Sequence, residues 1–345
     1  MNHKSPIIGI TMGDPGSVGP ELCVKALRAP TYYEICRPIV IGDAPIMEEA
    51  LKVVGCKDIR INAVGSVSQA EFTHGVIDVL DMGIISMDRV DIGKFTAAGG
   101  EASYRYVEKV IGLALAGEVD ATVTNALSKE AINLAGHSYA GHTEIYAKLT
   151  DTSSYAMMLA HDDLRVIHVS THVSLRKACD LVKKQRVYDV ISLADKTCKT
   201  LGIERPVIGV AGLNPHSGEA GMFGTEEIYE IIPAIEWARS EGITVEGPIP
   251  PDTVFPKARG GWYDMVVAMY HDQGHIPLKM EGFVYNKADK KWDAVSGINV
   301  TLGLPIIRVS VDHGTAMGKA YKGTASEVSL ANAISYAVRF AQNRR

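Results

Sequence analysis

Short, wholly apolar runs recur along the chain, and they do not alternate with polar positions. "PIIGITM" (6–12), "PIVIG" (38–42), "ATVTN" (121–125), "PVIGVAG" (206–212), "DMVVAM" (264–269) and "PIIRVS" (305–310) predict strands covered on both faces. Helical spacing fills the stretches between them. Residues 96–117 put Val107, Val110, Ile111 and Ala114 on one face and finish near Gly117. Residues 225–241 predict a helix capped by Thr225, with Glu226 and Glu227 in its first turn, a kink at Pro233 and a stop before Gly242. Residues 326–342 predict a closing helix. Such alternation specifies an α/β protein with largely parallel sheets. One piece departs from it: "SYAMMLAHDDLRVIHVSTH" places two strand-like runs around His161, Asp162 and Asp163, which predicts an antiparallel hairpin. The lysine-rich segment 284–297 reads as a surface loop or ribbon.

Composition narrows the classes of function. A chain of 345 residues has room for two domains, and 46% apolar with 22% charged residues is ordinary for a globular protein. Lys and Arg number 35 against 40 Asp and Glu, a formal charge of −5, so there is no basic footprint for nucleic acid or an anionic membrane. No apolar run approaches a membrane span, and "MNHKSPIIGITMGDPG" lacks a signal-peptide core, so a cytoplasmic protein is expected. Cys23, Cys36, Cys56, Cys179 and Cys198 are odd in number and form no CxxC pair, which argues against a disulfide framework or a cysteine zinc site.

Four constellations could carry chemistry. "GDPGSVGPE" (13–21) is a Gly/Pro-rich turn after the first strand, with Pro20 suited to the first turn of a helix. It is neither GxGxxG nor a P-loop, and a tight strand-to-helix connection explains it equally well. Among 11 histidines, His172, His216, His271 and His313 each sit just past a strand-like run. Ligands collect beyond the carboxyl ends of strands in α/β sheets, and imidazole is the commonest metal ligand. Any one of these histidines is a routine loop residue; the repeated placement is what points to function. "GHTE" (141–144) suits phosphate or carboxylate binding through His142 and Thr143, and equally a helix cap by Thr143. Lys279 and Arg308 suit an anionic substrate, or structural ion pairs.

Taken in order, "ITMGDPGSVGPE", "GHTEIYA", "VSTHVSLRK", "GLNPHSGEAGMFG", "PPDTVF", "AMYHDQGHIPLK" and "INVTLGLPIIRVSVDHGTA" resemble the 4-hydroxythreonine-4-phosphate dehydrogenase family from about residue 7 to about residue 330. "GDPGSVGPE" and "DHGTA" are also similar to "GDGIGPE" and "HGSA" of the isocitrate and isopropylmalate dehydrogenases. The resemblance implies two three-layer α/β lobes with a cleft between them. One would comprise residues 1–135 plus 280–345, and the other residues 136–279, with the metal ligands and dimer contacts. It implies a homodimer with shared active sites and a divalent metal (zinc, cobalt, nickel, magnesium or manganese) on His172, His216 and His271, the last reaching the partner's metal. Substrate contacts would fall on His142, Thr143, Lys279, Asn299 and Arg308. Asp252 and Asp272 would orient ligands or relay protons, with Lys279 a further candidate for proton transfer. NAD or NADP would lie near Asn214, Gly218, His313, Gly314 and Thr315.

The implied reaction is metal-dependent oxidation with decarboxylation of a phosphorylated hydroxy acid. "YHDQGHIPLK", with His275-Ile276, resembles the branch acting on 4-phospho-D-threonate and 4-phospho-D-erythronate more than the vitamin B6 branch, which is the alternative. A metal-dependent hydrolase would also use three histidines, but it would leave "GDPGSVGPE" and "DHGTA" unexplained. The chain departs from the family pattern at Gly16-Ser17, at "TNALSKEAI" (124–132), in the insertion 284–297 and at "GKAYKGTA" (318–325).

Overall fold

A computed structural model describes residues 5–288 and 291–344, with no side-chain placement for 284, 285 and 291–295. It divides into two compact units: residues 1–153, 294–298 and 304–345 form unit 1, and residues 154–293 and 299–303 form unit 2. The chain thus changes unit later than the lobes expected from the resemblance. Residues 136–153 belong to unit 1 because the helix they carry packs on the long helix 97–115.

Unit 1 begins with β1 (Ile7–Thr11), α1 (Gly19–Leu27), α2 (Thr31–Ile35), β2 (Arg37–Gly42), α3 (Ala44–Val54), β3 (Arg60–Val64) and β4 (Val76–Asp81). It continues with α4 (Ala97–Leu115), β5 (Ala121–Thr124), α5 (Lys129–Leu134) and α6 (His142–Leu149). Its strands run in the order β3-β4-β2-β1-β5, with every neighbouring pair parallel. β1, β2 and β5 are the apolar runs recognised in the sequence, buried almost throughout, with α4 and α12 packed against them. The helix expected over 96–117 forms as α4, where Thr96 Oγ1 accepts from the Gly99 N–H. Pro20 sits in the first turn of α1, as its missing N–H requires.

Unit 2 holds β6 (Ala156–His161), β7 (Leu164–His168), α7 (Leu175–Leu181), α8 (Lys184–Thr200), β8 (Ile208–Ala211), α9 (Ile232–Ser240), β9 (Val245–Ile249), α10 (Pro251–Arg259), β10 (Met265–Ala268) and α11 (His271–Gly282). β11 (Phe283–Asn286) and β12 (Lys291–Val295) follow and form a two-stranded ribbon in the expected surface insertion, of which residues 289–290 lie outside the described residues. β13 (Ile298–Leu302) follows, and in unit 1 β14 (Arg308–Val311) pairs parallel with β5 before α12 (Val328–Asn343) closes the chain. β6 and β7 form the expected hairpin, with Asp162 at φ 48 in its turn. β7, β10, β8 and β9 then run side by side and parallel. A buried core that includes Leu159, Val166, Ala211, Val254, Val266 and Leu278 joins these strands to α10 and α11.

Two local expectations are corrected. The first turn of the helix expected over 225–241 is π-helical over Glu227–Ile231, and only then does α9 begin, with Pro233 in its first turn. Pro233 has no N–H to give to an α-type bond, which explains the change of winding there. Thr143 does not cap α6. Gly141 occupies the cap, and Thr143 lies inside the first turn.

Candidate active site

The histidines of unit 2 are placed by the exits of parallel strands. The β7–β10 pairing continues one step past its strands, where the Val169 N–H donates to the Ala268 carbonyl at 2.8 Å. Ser170 Oγ then donates to the Met269 carbonyl at 3.1 Å. Gln273, buried, accepts from the Met269 N–H at 2.6 Å and donates to the Gly212 carbonyl at 2.8 Å. These bonds lock the exits of β7, β10 and β8 together just where His172, His271 and His216 leave them.

The rings of His172 and His271 come to 5.7 Å between centroids. His271 Nδ1 lies 2.6 Å from Asp272 Oδ1, which leaves Nε2 for a ligand. His275, one turn on, stacks on His271 at 3.5 Å and touches His168 at 4.8 Å, so four imidazoles gather on the β7–α11 junction. Burial pushes His275 down to about 3 and His168 to about 4, with neighbouring imidazoles adding to the effect, so both are neutral at physiological pH. His168 Nδ1 faces the Met157 carbonyl at 3.1 Å.

His216 is held differently. It opens a run of five residues, His216 to Ala220, all in the left-handed region, and its ring neighbour is Phe223 at 6.4 Å. The structure therefore brings His172 and His271 together without His216. Among the described residues no three His, Cys, Asp or Glu side chains gather as a metal-holding group. His172, and His271 with its ring already oriented by a carboxylate, are imidazole donors that fit a divalent metal drawing its remaining ligands elsewhere.

Lys279 shares an open pocket of about 470 Å³ with His271, Asp272, His275, Ile276, Met280 and Phe283. Its ammonium stands 4.9 Å over the Phe283 ring. Asn299 Nδ2 approaches Met157 Sδ at 2.9 Å. Asp252 occupies the exposed first turn of α10, a helix that packs against the His216 turn. Asn214 spends its side-chain amide on Glu226 and Glu227, at 2.8 and 2.9 Å, so it has no donor left for a cofactor. Gly218 is in the left-handed region at φ 82.

Unit 1 brings together a second set. Arg308, 3% exposed, donates to Thr124 Oγ1 at 3.1 Å and lies 5.6 Å over the Tyr146 ring. Burial pulls its guanidinium down to about 10. His142, at the start of α6, is held well below the ordinary imidazole value by burial and then by the Arg308 charge. Its buried Nε2 has no hydrogen-bond partner among the described residues. A buried cation beside an imidazole with a spare nitrogen is an anion site in composition, and Thr143 stands next to it on the same turn. The loop of His313, Gly314 and Thr315 is tied to the first-strand turn: the Val18 N–H donates to the Thr315 carbonyl at 3.3 Å, and Tyr321 Oη to the Pro15 carbonyl at 2.8 Å. Burial also lowers His313.

The sequence assigns no contact at the site to His168, Gln273, Thr124 or Tyr146, and it marks His275 only as a feature of the substrate branch. His271 and His275 are four apart on one helix face, a spacing that was available as a signal. His168 was legible only as part of a strand.

A family model for the pyridoxal phosphate biosynthetic protein PdxA matches residues 34–337. The chain belongs to the PdxA family. D-threonate 4-phosphate dehydrogenase of Salmonella typhimurium is 46% identical over 339 residues, covering 98% of this chain and 100% of that one. Among solved structures, 4-hydroxythreonine-4-phosphate dehydrogenase from Klebsiella pneumoniae superposes with TM-score 0.85 at 42% identity, over 98% of this chain and 100% of the other. A terephthalate 1,2-cis-dihydrodiol dehydrogenase from Burkholderia xenovorans gives 0.67 at 27% identity, over 97% and 98%. The PdxA-family resemblance read from the seven motifs is thereby borne out, and so is the α/β class. No helix among the described residues is long and apolar enough to cross a membrane.

Proposed function

We propose that this chain is a metal-dependent, NAD- or NADP-linked dehydrogenase that oxidises and decarboxylates a 4-phosphorylated 3-hydroxy acid of the 4-phospho-D-threonate and 4-phospho-D-erythronate kind. The observation that carries the reading is the 46% identity, over nearly the whole of both chains, to a D-threonate 4-phosphate dehydrogenase. The chemistry of the two residue sets supports it. Such a substrate calls for an anion anchor and for a metal ligand set, and unit 1 carries a candidate for the first and unit 2 for the second.

Arg308 anchors the phosphate through the planar donors of its guanidinium, with His142 Nε2 and Thr143 completing the shell. His142 stays neutral, so it offers a hydrogen bond without adding a second full charge to the buried site. In unit 2, His172 and His216 would hold the divalent ion, with His271, whose ring Asp272 fixes, reaching the ion of the partner subunit. When bound, the metal would supply a Lewis acid that lowers the pKa of the substrate hydroxyl and offsets negative charge during decarboxylation, and the nicotinamide would supply the hydride acceptor. Lys279 contributes a cation beside His271 for the substrate carboxylate or for proton transfer, Asn299 a neutral contact, and Asp252 a carboxylate on α10. The loop of His313, Gly314 and Thr315 serves the cofactor. A cytoplasmic homodimer belongs to the same reading, and imidazole ligands suit zinc, cobalt or nickel.

The alternative, 4-hydroxythreonine-4-phosphate dehydrogenase, is favoured by the likeness to the Klebsiella pneumoniae structure. Nicotinamide reduction with 4-phospho-D-threonate, 4-phospho-D-erythronate and 4-phosphohydroxy-L-threonine, each offered in turn, decides between the two. Turnover of the first two is expected. Turnover of the third alone would replace this reading with the alternative.

A further inference from the structure

We infer that Glu227 is a positioning residue that holds the left-handed turn carrying His216. The inference rests on the reading of His216 as a metal ligand. Glu227 is 1% exposed, yet its carboxylate is fully occupied by the strand exit. Oε1 accepts the Leu213 N–H at 2.7 Å and the Asn214 N–H at 2.8 Å. Oε2 accepts the Asn214 amide at 2.9 Å. Three donors converge on one buried carboxylate, and all three come from the two residues immediately before the Pro215-His216 pair.

The turn itself explains the need. His216, Ser217, Gly218, Glu219 and Ala220 run through φ values of 51, 53, 82, 44 and 54°, five left-handed residues in succession, of which one is glycine. L-residues visit this region singly, so the surroundings must impose such a run. Glu227 does so from below. A Cβ at position 218 would stand 2.8 Å from Glu227 Oε2, so the carboxylate is packed against the middle of the turn as well as bonded to its start. Glu227 itself opens the π-helical turn ahead of Pro233. His216 remains exposed at the top of this arrangement, its imidazole uncovered while its backbone is fixed.

The test is zinc titration calorimetry on the full chain with His216→Ala, Glu227→Ala, Glu227→Gln and Gly218→Ala, each accompanied by its thermal midpoint. His216→Ala is expected to weaken zinc binding, and Glu227→Ala to weaken it by about 10–100-fold, the range for residues that orient a metal ligand. Glu227→Gln keeps an acceptor for the two backbone N–H groups but turns a donor toward Asn214, so an intermediate loss is expected. If Glu227→Ala fails to fold, Glu227→Gln carries the test, and Gly218→Ala reports on the turn as a whole, since its methyl meets both the carboxylate and an unfavourable left-handed φ. A lowered thermal midpoint with zinc affinity unchanged in the Glu227 and Gly218 variants, while His216→Ala binds weakly, would overturn the inference and leave the metal reading intact. Wild-type affinity in His216→Ala would overturn both.

Discussion

Arg308 Nη2 reaches Thr124 Oγ1 at 3.1 Å across two parallel strands whose register pairs Arg308 with Thr122 and Ser310 with Thr124. The guanidinium is therefore aimed along the carboxyl edge of β5, buried, over the face of Tyr146. A cation held this way costs the fold stability, because burial disfavours its charged form throughout the neutral range. Arg308→Met should therefore keep or raise the thermal midpoint while raising KM for a phosphorylated substrate by about 100-fold, equivalent to losing about 3 kcal/mol of charged hydrogen bonding. Scanning calorimetry and steady-state kinetics on the same preparation check both halves. A KM within about threefold of wild type would remove Arg308 from the anion site.

Acid stability should depend on two buried groups that oppose each other. Asp14, 1% exposed, is raised to about 6 by burial, partly offset by the Gly16 N–H. It favours the folded state below pH 3.8 and loses that contribution as pH rises through 6, about 3 kcal/mol in all. His168, lowered to about 4, works the other way: the unfolded chain takes up its proton first, so stability falls as pH drops from 6.5 to 4. Asp14→Asn should steepen the acid loss and gain stability at pH 8, and His168→Gln should flatten it. Urea midpoints at pH 4.5 and 8 read both effects, and parallel profiles for all three proteins would contradict the assignment.

Gly274 lies where a Cβ would overlap His168 Nε2 and stand 2.7 Å from Val166 Cγ1. Gly274→Ala should push α11 away from β7, costing about 1–3 kcal/mol of stability as overpacking does and moving His271 away from His172. Denaturant titration should show the loss of stability, and zinc titration a weaker site. Unchanged zinc affinity would mean that the His168–Gly274 contact does not place the ligand.

Legibility in the sequence followed the unbroken apolar run, which β4 lacks although buried at five of its six positions, because Asp78 interrupts it. β1, β2, β5, β8, β10 and β14 were visible because both faces are covered, which leaves an unbroken apolar run. β3 was not: "RINAV" is partly exposed, and its pattern carries no core signal. The histidines past strand ends were readable as a class, but what surrounds them was not. His168 gains its importance from a glycine in another element, and Glu227, readable as an acid in a helix's first turn, binds a distant loop instead. Asn214 looked free for a cofactor and is consumed by two carboxylates. The left-handed turn at His216 is invisible to propensity, since Ser217, Glu219 and Ala220 carry no preference for that region.

The proposed activity joins three requirements: nicotinamide reduction, decarboxylation and a metal. The most direct measurement follows nicotinamide reduction and carbon dioxide release together with 4-phospho-D-threonate, in the presence of zinc and after chelation. One carbon dioxide per reduced nicotinamide, abolished by chelator and restored by metal, is the expected result. Reduction that persists in the chelated protein, or that proceeds without carbon dioxide, would contradict the account.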